Sequence, residues 1–234
     1  MVMNIAVKWP KRLIIIRHGQ SEQNVALDIL QKNLDQILEQ QKKVRDADIR
    51  LTDYGVSQAI ETGKYLSRME KLDICFSSPY ARTLQTADNI VKNVGYDLKL
   101  FTDFRLIEKE FGRLHGYSTK EIEKNYPEEY EDRKRDGKFY YRMPRGENYL
   151  DVMNRVHSFL DKLHRDYAGK SVLIVTHQVP YVLFRALFEH LNEKEILALG
   201  DVPNCGIEEF VLDTSKHAEG NLKLSKFNIV AYHI

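Results

Sequence analysis

The stretch "LIIIRHGQSEQN", Leu13 to Asn24, carries an apolar run straight into an arginine, a histidine and a glycine. A run that is apolar at every position, not at alternate ones, reads as a strand covered on both faces. Working outward, "RLIIIR" (12–17) is followed by five more short runs bounded by turn residues: "LDICFSS" (72–78), "LKLF" (98–101), "KSVLIVTH" (170–177), "IEEFVLD" (207–213) and "LKLSKFN" (222–228). Segments of helical period lie between them, at 52–69, 78–94, 118–134, 149–167 and 179–191. In the fourth of these, Tyr149, Val152, Met153, Val156, Phe159, Leu160 and Leu163 fall on one face, which buries it against a sheet. Strand and helix in alternation predict an α/β fold: a mostly parallel central sheet with helices on both faces.

Two regions break the alternation. Residues 25–45 read as a long polar helix with one apolar edge (Leu27, Leu30, Leu34, Ile37, Leu38), a helical insertion that either rests on the body, lids a pocket or forms a homodimer seam. Residues 113–148 are rich in charge and tyrosine and are expected to form a cap. No internal repeat or low-complexity tract is present, and a single domain over 1–234 is expected from a chain of this size.

The balance of 35 basic and 34 acidic side chains leaves no global field to attract nucleic acid or an anionic membrane, so anion binding must come from a local cluster. Cys75 and Cys205 sit in no paired or metal-ligand spacing, so no disulfide is expected. With no membrane-length apolar run and no cleavable leader pattern at the start of the sequence, a cytoplasmic protein is expected.

Ligand sites in open α/β sheets lie at the carboxyl ends of the strands. Arg17 and His18 end the first strand, Ser77, Ser78 and "PYARTLQTA" end the second, and His177 ends "SVLIVT". Two arginines and two histidines gathered at one edge make a site for a dianion, because guanidinium forks match phosphate oxygens with charge-assisted bonds. A phosphate monoester is the natural guest. An imidazole nitrogen in line with phosphorus acts as nucleophile while the cations stabilise the equatorial oxygens. A carboxylic acid must then protonate the leaving alcohol; Glu108 in "RLIEKEFG" is the candidate, with Glu110 as the alternative.

The ordered set "RHGQSEQN", "SSPYARTLQTA", "RLIEKEFG", "PRGENYLDVMNRV" and "VLIVTHQ" resembles the motifs of the histidine phosphatase superfamily, in its phosphoglycerate-mutase-like branch. The resemblance implies a phosphohistidine on His18, with Arg17, Arg82 and His177 binding the phosphoryl group, Asn24 assisting and Glu108 as proton donor. It implies no metal and no organic cofactor, and a small-molecule phosphate ester as partner. Within the branch, "KEIEKNYPEEYEDRKRDGKFYYRMPRGENYLDVMNRV" looks like the phosphatase domain of fructose-2,6-bisphosphatases; on that likeness Lys138, Tyr149, Gln178 and Arg133 or Lys134 bind the sugar phosphate. The family's tyrosine before "EI" is Thr119 here, and its arginine four residues after the glutamine is Val182. Phe111 and Gln178 stand where a phosphoglycerate mutase shows tyrosine and glycine. The sequence therefore predicts a metal-independent phosphomonoesterase of small phosphorylated metabolites, fructose-2,6-bisphosphate among the candidates. A mutase and a phospho-ligand-binding module whose catalysis has lapsed are the alternatives.

Overall fold

β1 (Arg12–Arg17) is buried except at its last residue, and its alternating side chains feed two separate cores. The computed structural model describes residues 7–30, 44–215 and 218–233. On one side of the sheet Leu13 and Ile15 join Phe159 and Leu163 of the helix Tyr149–Asp166 and Phe184 of the helix Gln178–Glu189. On the other, Ile14 and Ile16 meet Leu66 of the helix Asp53–Ser67 and Ile90 of the helix Ala81–Asn93. Each such side chain removed from water contributes about 1.5–3 kcal/mol, so β1 is the strand that both layers need.

The other strands are β2 (Ile74–Ser77), β3 (Leu100–Thr102), β4 (Ser171–Thr176), β5 (Ile207–Asp213) and β6 (Asn221–Ile229), in the order β3-β2-β4-β1-β5-β6. The pairs β1/β4, β2/β4 and β2/β3 are parallel, and β5 runs against both β1 and β6. All six expected strands are present and the sheet is mostly parallel, as the alternation predicts. β3 begins two residues later than expected, because Leu98 is spent in the core and pairing with β2 starts at Cys75 and Leu100. Cys75 and Cys205 are buried free thiols.

Eight α-helices lie among the described residues: α1 (Glu22–Leu30), α2 (Asp53–Ser67), α3 (Ala81–Asn93), α4 (Thr119–Asn125), α5 (Pro127–Tyr140), α6 (Tyr149–Asp166), α7 (Gln178–Glu189) and α8 (Glu193–Ala198). Three expectations need correction. The insertion helix starts at Glu22, not Val25, and is described as far as Leu30; Val44 and Arg45 are not helical and lead into a 3-10 turn at Asp46–Asp48, and the part of the expected insertion at 31–43 lies outside the described residues. The single helix expected over 118–134 is two, because Pro127 has no N–H to continue a ladder and instead opens α5. α8 was not anticipated, although Asn192 and Glu195 form a capping box at its start.

The 113–148 segment holds its own small core of Leu114, Ile122, Tyr141 and Met143, with Phe111, Tyr117, Tyr126 and Tyr130 packed around it. It is joined to the acid-bearing loop through glycine. Gly112 has a φ of +52°, and a Cβ there would stand 2.2 Å from the Pro144 carbonyl oxygen. Any side chain would force the two loops apart.

One core position is out of balance. Glu208 on β5 is fully buried, neither carboxylate oxygen has a hydrogen-bond partner, and burial pushes its pKa up to about 8. Between pH 4.5 and 8 the folded chain holds a proton that the unfolded chain releases, so this group destabilises the fold increasingly as pH rises through that window. Glu208→Gln is expected to stabilise the protein by up to a few kcal/mol at pH 8.5 and hardly at all at pH 5; equal gains in urea denaturation at both pH values would contradict this account.

Candidate active site

The β1 carboxyl end is fixed from four directions. His18 N–H donates to the Thr176 carbonyl of β4 at 2.9 Å, and the His18 carbonyl accepts from Cys205 N–H at 3.2 Å and from Asn204 Nδ2 at 3.1 Å. Gly19 N–H donates to Thr86 Oγ1 of α3 at 3.0 Å, and Gln20 N–H to Gln58 Oε1 of α2 at 2.8 Å. A Cβ on Gly19 would lie 2.5 Å from the Gly55 carbonyl oxygen, and one on Gly55 would lie 2.1 Å from that of Gln20. The glycine of "RHG" is thus demanded by the approach of α2, and the loop has no room to shift.

Within that frame His18 is buried and its Nδ1 lies 2.7 Å from the Gly19 carbonyl oxygen. A carbonyl only accepts, so Nδ1 carries the proton and Nε2 keeps its lone pair. Burial, then the charges of Arg82 and Arg17, hold the imidazole pKa well below its ordinary value, so the ring is neutral at physiological pH. The His177 ring is 5.2 Å from that of His18, and its Nε2 is 2.9 Å from Ser78 Oγ. Ser78 Oγ also accepts from Tyr80 N–H at 3.3 Å; among the described residues His177 Nε2 is the acceptor in reach of the buried hydroxyl's proton, and with that proton on Nε2's lone pair the ring proton sits on Nδ1.

Both arginines are anchored at one side only. Arg17 Nη1 donates to the Val202 carbonyl, while Arg82, lying over the Tyr80 ring, gives its Nη groups to Asp46. Arg17 Nε, Arg82 Nε and His177 Nδ1 are all buried with no hydrogen-bond partner. Three unmet donors beside one free imidazole nitrogen form a cradle for an anion.

Glu108 lies at the N-terminus of α7, where Oε1 accepts from Val179 N–H at 3.2 Å and from Lys109 N–H at 2.8 Å. Burial raises its pKa and outweighs these bonds and the Arg82 charge. Glu110 is committed elsewhere, accepting from Tyr80 Oη at 2.5 Å. The loop that carries both acids has little regular structure and is clamped by the "GENYLDVMNRV" motif. Arg155 donates to Glu147 through Nε at 2.9 Å and Nη2 at 3.0 Å, and to the carbonyls of Arg105 at 2.8 Å and Glu108 at 3.0 Å.

The remaining expected residues are placed as follows. Asn24 Oδ1 accepts from Ser21 N–H, Ser21 Oγ and Asn204 Nδ2, which ties it to the His18 loop. Gln178 spans the loop after α8, donating to the Gly200 carbonyl and accepting from Val202 N–H, both at 2.9 Å. Tyr149 is buried, stacked on Phe139, and its pKa is pushed up to about 12 by burial and then by the Glu108 charge. Arg133 is half-buried and its charge reaches Tyr149, whereas Lys138 is exposed at the outer rim. Val182 is buried in α7, and Arg185 is turned to Glu189 and Phe227. Two residues escaped the sequence reading. Lys109 is buried between the two acids, donating to the Glu147 carbonyl at 3.3 Å and lying 4.3 Å from the Phe111 ring, and Asp46 engages Arg82.

The match to known proteins accords with this arrangement. Residues 13–221 fit the family model of the histidine phosphatase superfamily (branch 1). The chain belongs to that superfamily. Among relatives in this superfamily, 6-phosphofructo-2-kinase/fructose-2,6-bisphosphatase of Arabidopsis thaliana is 30% identical over 80% of this chain and 22% of that protein. Phosphoglycerate mutase-like protein AT74 of the same plant is 32% identical over 74% of this chain and 53% of its own length. This chain thus spans about a fifth and about half of those two relatives. Phosphoserine phosphatase 1 of Hydrogenobacter thermophilus is 30% identical over 72% of both chains. Bacillus stearothermophilus YhfR shares the fold with a TM-score of 0.75 at 23% identity, covering 94% of this chain and 98% of its own. The mycobacterial glucosyl-3-phosphoglycerate phosphatase does so at 0.70 and 22%, covering 93% and 99%.

Arg155→Met leaves Glu147 a largely buried, unpaired carboxylate and is expected to cost about 3 kcal/mol. Urea denaturation at pH 7 measures it; a loss under 1 kcal/mol, on the order of what an exposed pair contributes, would show that the clamp is dispensable.

Proposed function

We propose that the chain is a metal-independent phosphomonoesterase that works through a phosphohistidine on His18. The observation that carries this reading is the set of three buried, unpartnered donors, Arg17 Nε, Arg82 Nε and His177 Nδ1, around a neutral imidazole with a free Nε2. A phosphoryl group meets all three and presents phosphorus to His18. The Nε2 lone pair forms the N–P bond as the ester P–O bond breaks, and the leaving oxygen takes the proton of Glu108. Water then attacks phosphorus, Glu108 accepts its proton, the N–P bond breaks and inorganic phosphate leaves. The arginines hold the oxygens throughout, and the surrounding burial makes those charge-assisted bonds stronger than they are in water.

The substrate class is a small phosphorylated metabolite. Lys109, Arg133 and Lys138 gather cationic charge beside Glu108 and Tyr149, which favours an ester with a second anionic group. Sugar bisphosphates such as fructose-2,6-bisphosphate fit that description, with Tyr149, Gln178 and Asn24 as the further residues proposed to meet the substrate. Among the described residues no helix is long and apolar enough to cross a membrane.

Phosphate release from a panel of phosphomonoesters in the presence of chelator is expected for the wild type and to fall to background in His18→Ala. Activity that survives in the variant, or that the chelator removes, would overturn the reading. A second outcome follows from the two perturbed groups. The nucleophile is deprotonated below the usual imidazole range, so kcat/KM is expected to stay high into mildly acidic pH, and its alkaline limb reports loss of the raised Glu108 proton. Glu108→Gln should remove that limb and lower turnover of alkyl esters by roughly 10²–10⁴-fold. It should affect p-nitrophenyl phosphate, whose leaving group needs no proton, far less; equal losses on both substrates would argue against Glu108 as the acid.

A further inference from the structure

Asp46 and Asp48 flank one alanine in a 3-10 turn and meet opposite fates. Asp48 is exposed and paired with exposed Arg45, an ordinary solvated pair. Asp46 turns inward: its side chain is 14% exposed, and Arg82, at 2%, donates from Nη1 to its carbonyl at 2.6 Å and from Nη2 to Oδ2 at 3.2 Å, with Oδ1 3.0 Å from Nη1. The turn is held in place just downstream. Leu51 N–H donates to Gln85 Oε1 of α3 at 2.9 Å, and Thr52 N–H to the Gln20 carbonyl at 3.0 Å.

We propose that Asp46 is a positioning residue of the phosphoryl pocket, a built-in carboxylate that occupies the Nη side of Arg82 and moderates the pocket's grip on an oxyanion. The inference rests on the phosphatase reading. Arg82 is left with its Nε–H for a ligand, aimed by a clamp that fixes the plane of the guanidinium. The same carboxylate offsets one of the two arginine charges that a bound dianion feels, so a phosphate product is released more readily than two bare guanidiniums would allow.

A second effect follows through Glu108. The charged and titratable groups that act on it or feel its charge are Arg82 on α3, Arg17 on β1, Lys109 on its own loop, Tyr149 on α6 and Asp46 on the turn. Of these, the Asp46 charge helps Glu108 keep its proton and the Arg82 charge opposes it. One carboxylate therefore loosens the product and sustains the acid.

The test compares wild type with Asp46→Asn, which keeps shape and an acceptor but removes charge, and Asp46→Ala, with thermal melts to establish that each is folded. Calorimetric titration with inorganic phosphate and with orthovanadate is expected to give binding at least tenfold tighter in Asp46→Asn, and the alkaline limb of kcat/KM should move to lower pH. A purely structural role would weaken anion binding, and a bystander would leave it unchanged; either result overturns the proposal. If wild type hydrolyses no ester, the phosphatase reading fails, and the anion titration alone still decides the part played by Asp46. If Asp46→Ala does not fold, Asp46→Asn carries both measurements.

Discussion

A guanidinium leaves water only where acceptors take its N–H groups, and Arg82, with almost no exposed surface, meets that constraint on one side alone. The acceptor comes from a turn 36 residues earlier in the chain, which no strand-end rule locates, and the unsatisfied side is the one offered to the proposed ligand. Arg17 repeats the device with the Val202 carbonyl. The two histidines are shaped by the same burial: both rings are kept neutral, and their protons are assigned by the carbonyl of Gly19 and the hydroxyl of Ser78. A site whose donors are held in place before a ligand arrives needs no reorganisation when charge shifts during reaction.

The sheet positions His18, Arg17 and His177, but the candidate acid is placed by other means. Glu108 lies on a loop, and what holds it is a side-chain clamp from α6 on one flank and the N-terminus of α7 on the other. The glycines at 112 and 146 let that loop lie against the segment bearing Glu147. Rigid backbone and side-chain staples thus share the task, while the 113–148 segment packs on a separate tyrosine-rich core of its own.

How much of this was legible in the sequence follows from where the information is stored. The apolar run 13–16 and the apolar face of α6 state their burial in their own periodicity, so strands, helices and their layering could be read. His18, Arg17 and His177 were legible because a topological rule sends strand ends to one edge. Pro127 splitting a helix was a local signal that the longer charge pattern masked. Asp46 and Lys109 were opaque, because a surface-looking acid and a lysine between two glutamates take their meaning only from partners distant in the chain. Ser78 stood in the sequence as a polar strand end, yet its hold on His177 exists only once β2 and β4 are side by side.

That dependence on distant partners also governs how the arrangement at His18 comes into being. β1, at residues 12–17, finds its neighbours in strands at 171–176 and 207–213, and the His18 carbonyl is gripped by residues 204 and 205. Such non-local pairing is slow to form and closes late. During synthesis His18 emerges before the strands that hold it, and it has no fixed tautomer and no partner ring until residues 171–213 have followed. The cradle around His18 is therefore absent from a nascent or partly unfolded chain and exists only as a property of the completed sheet.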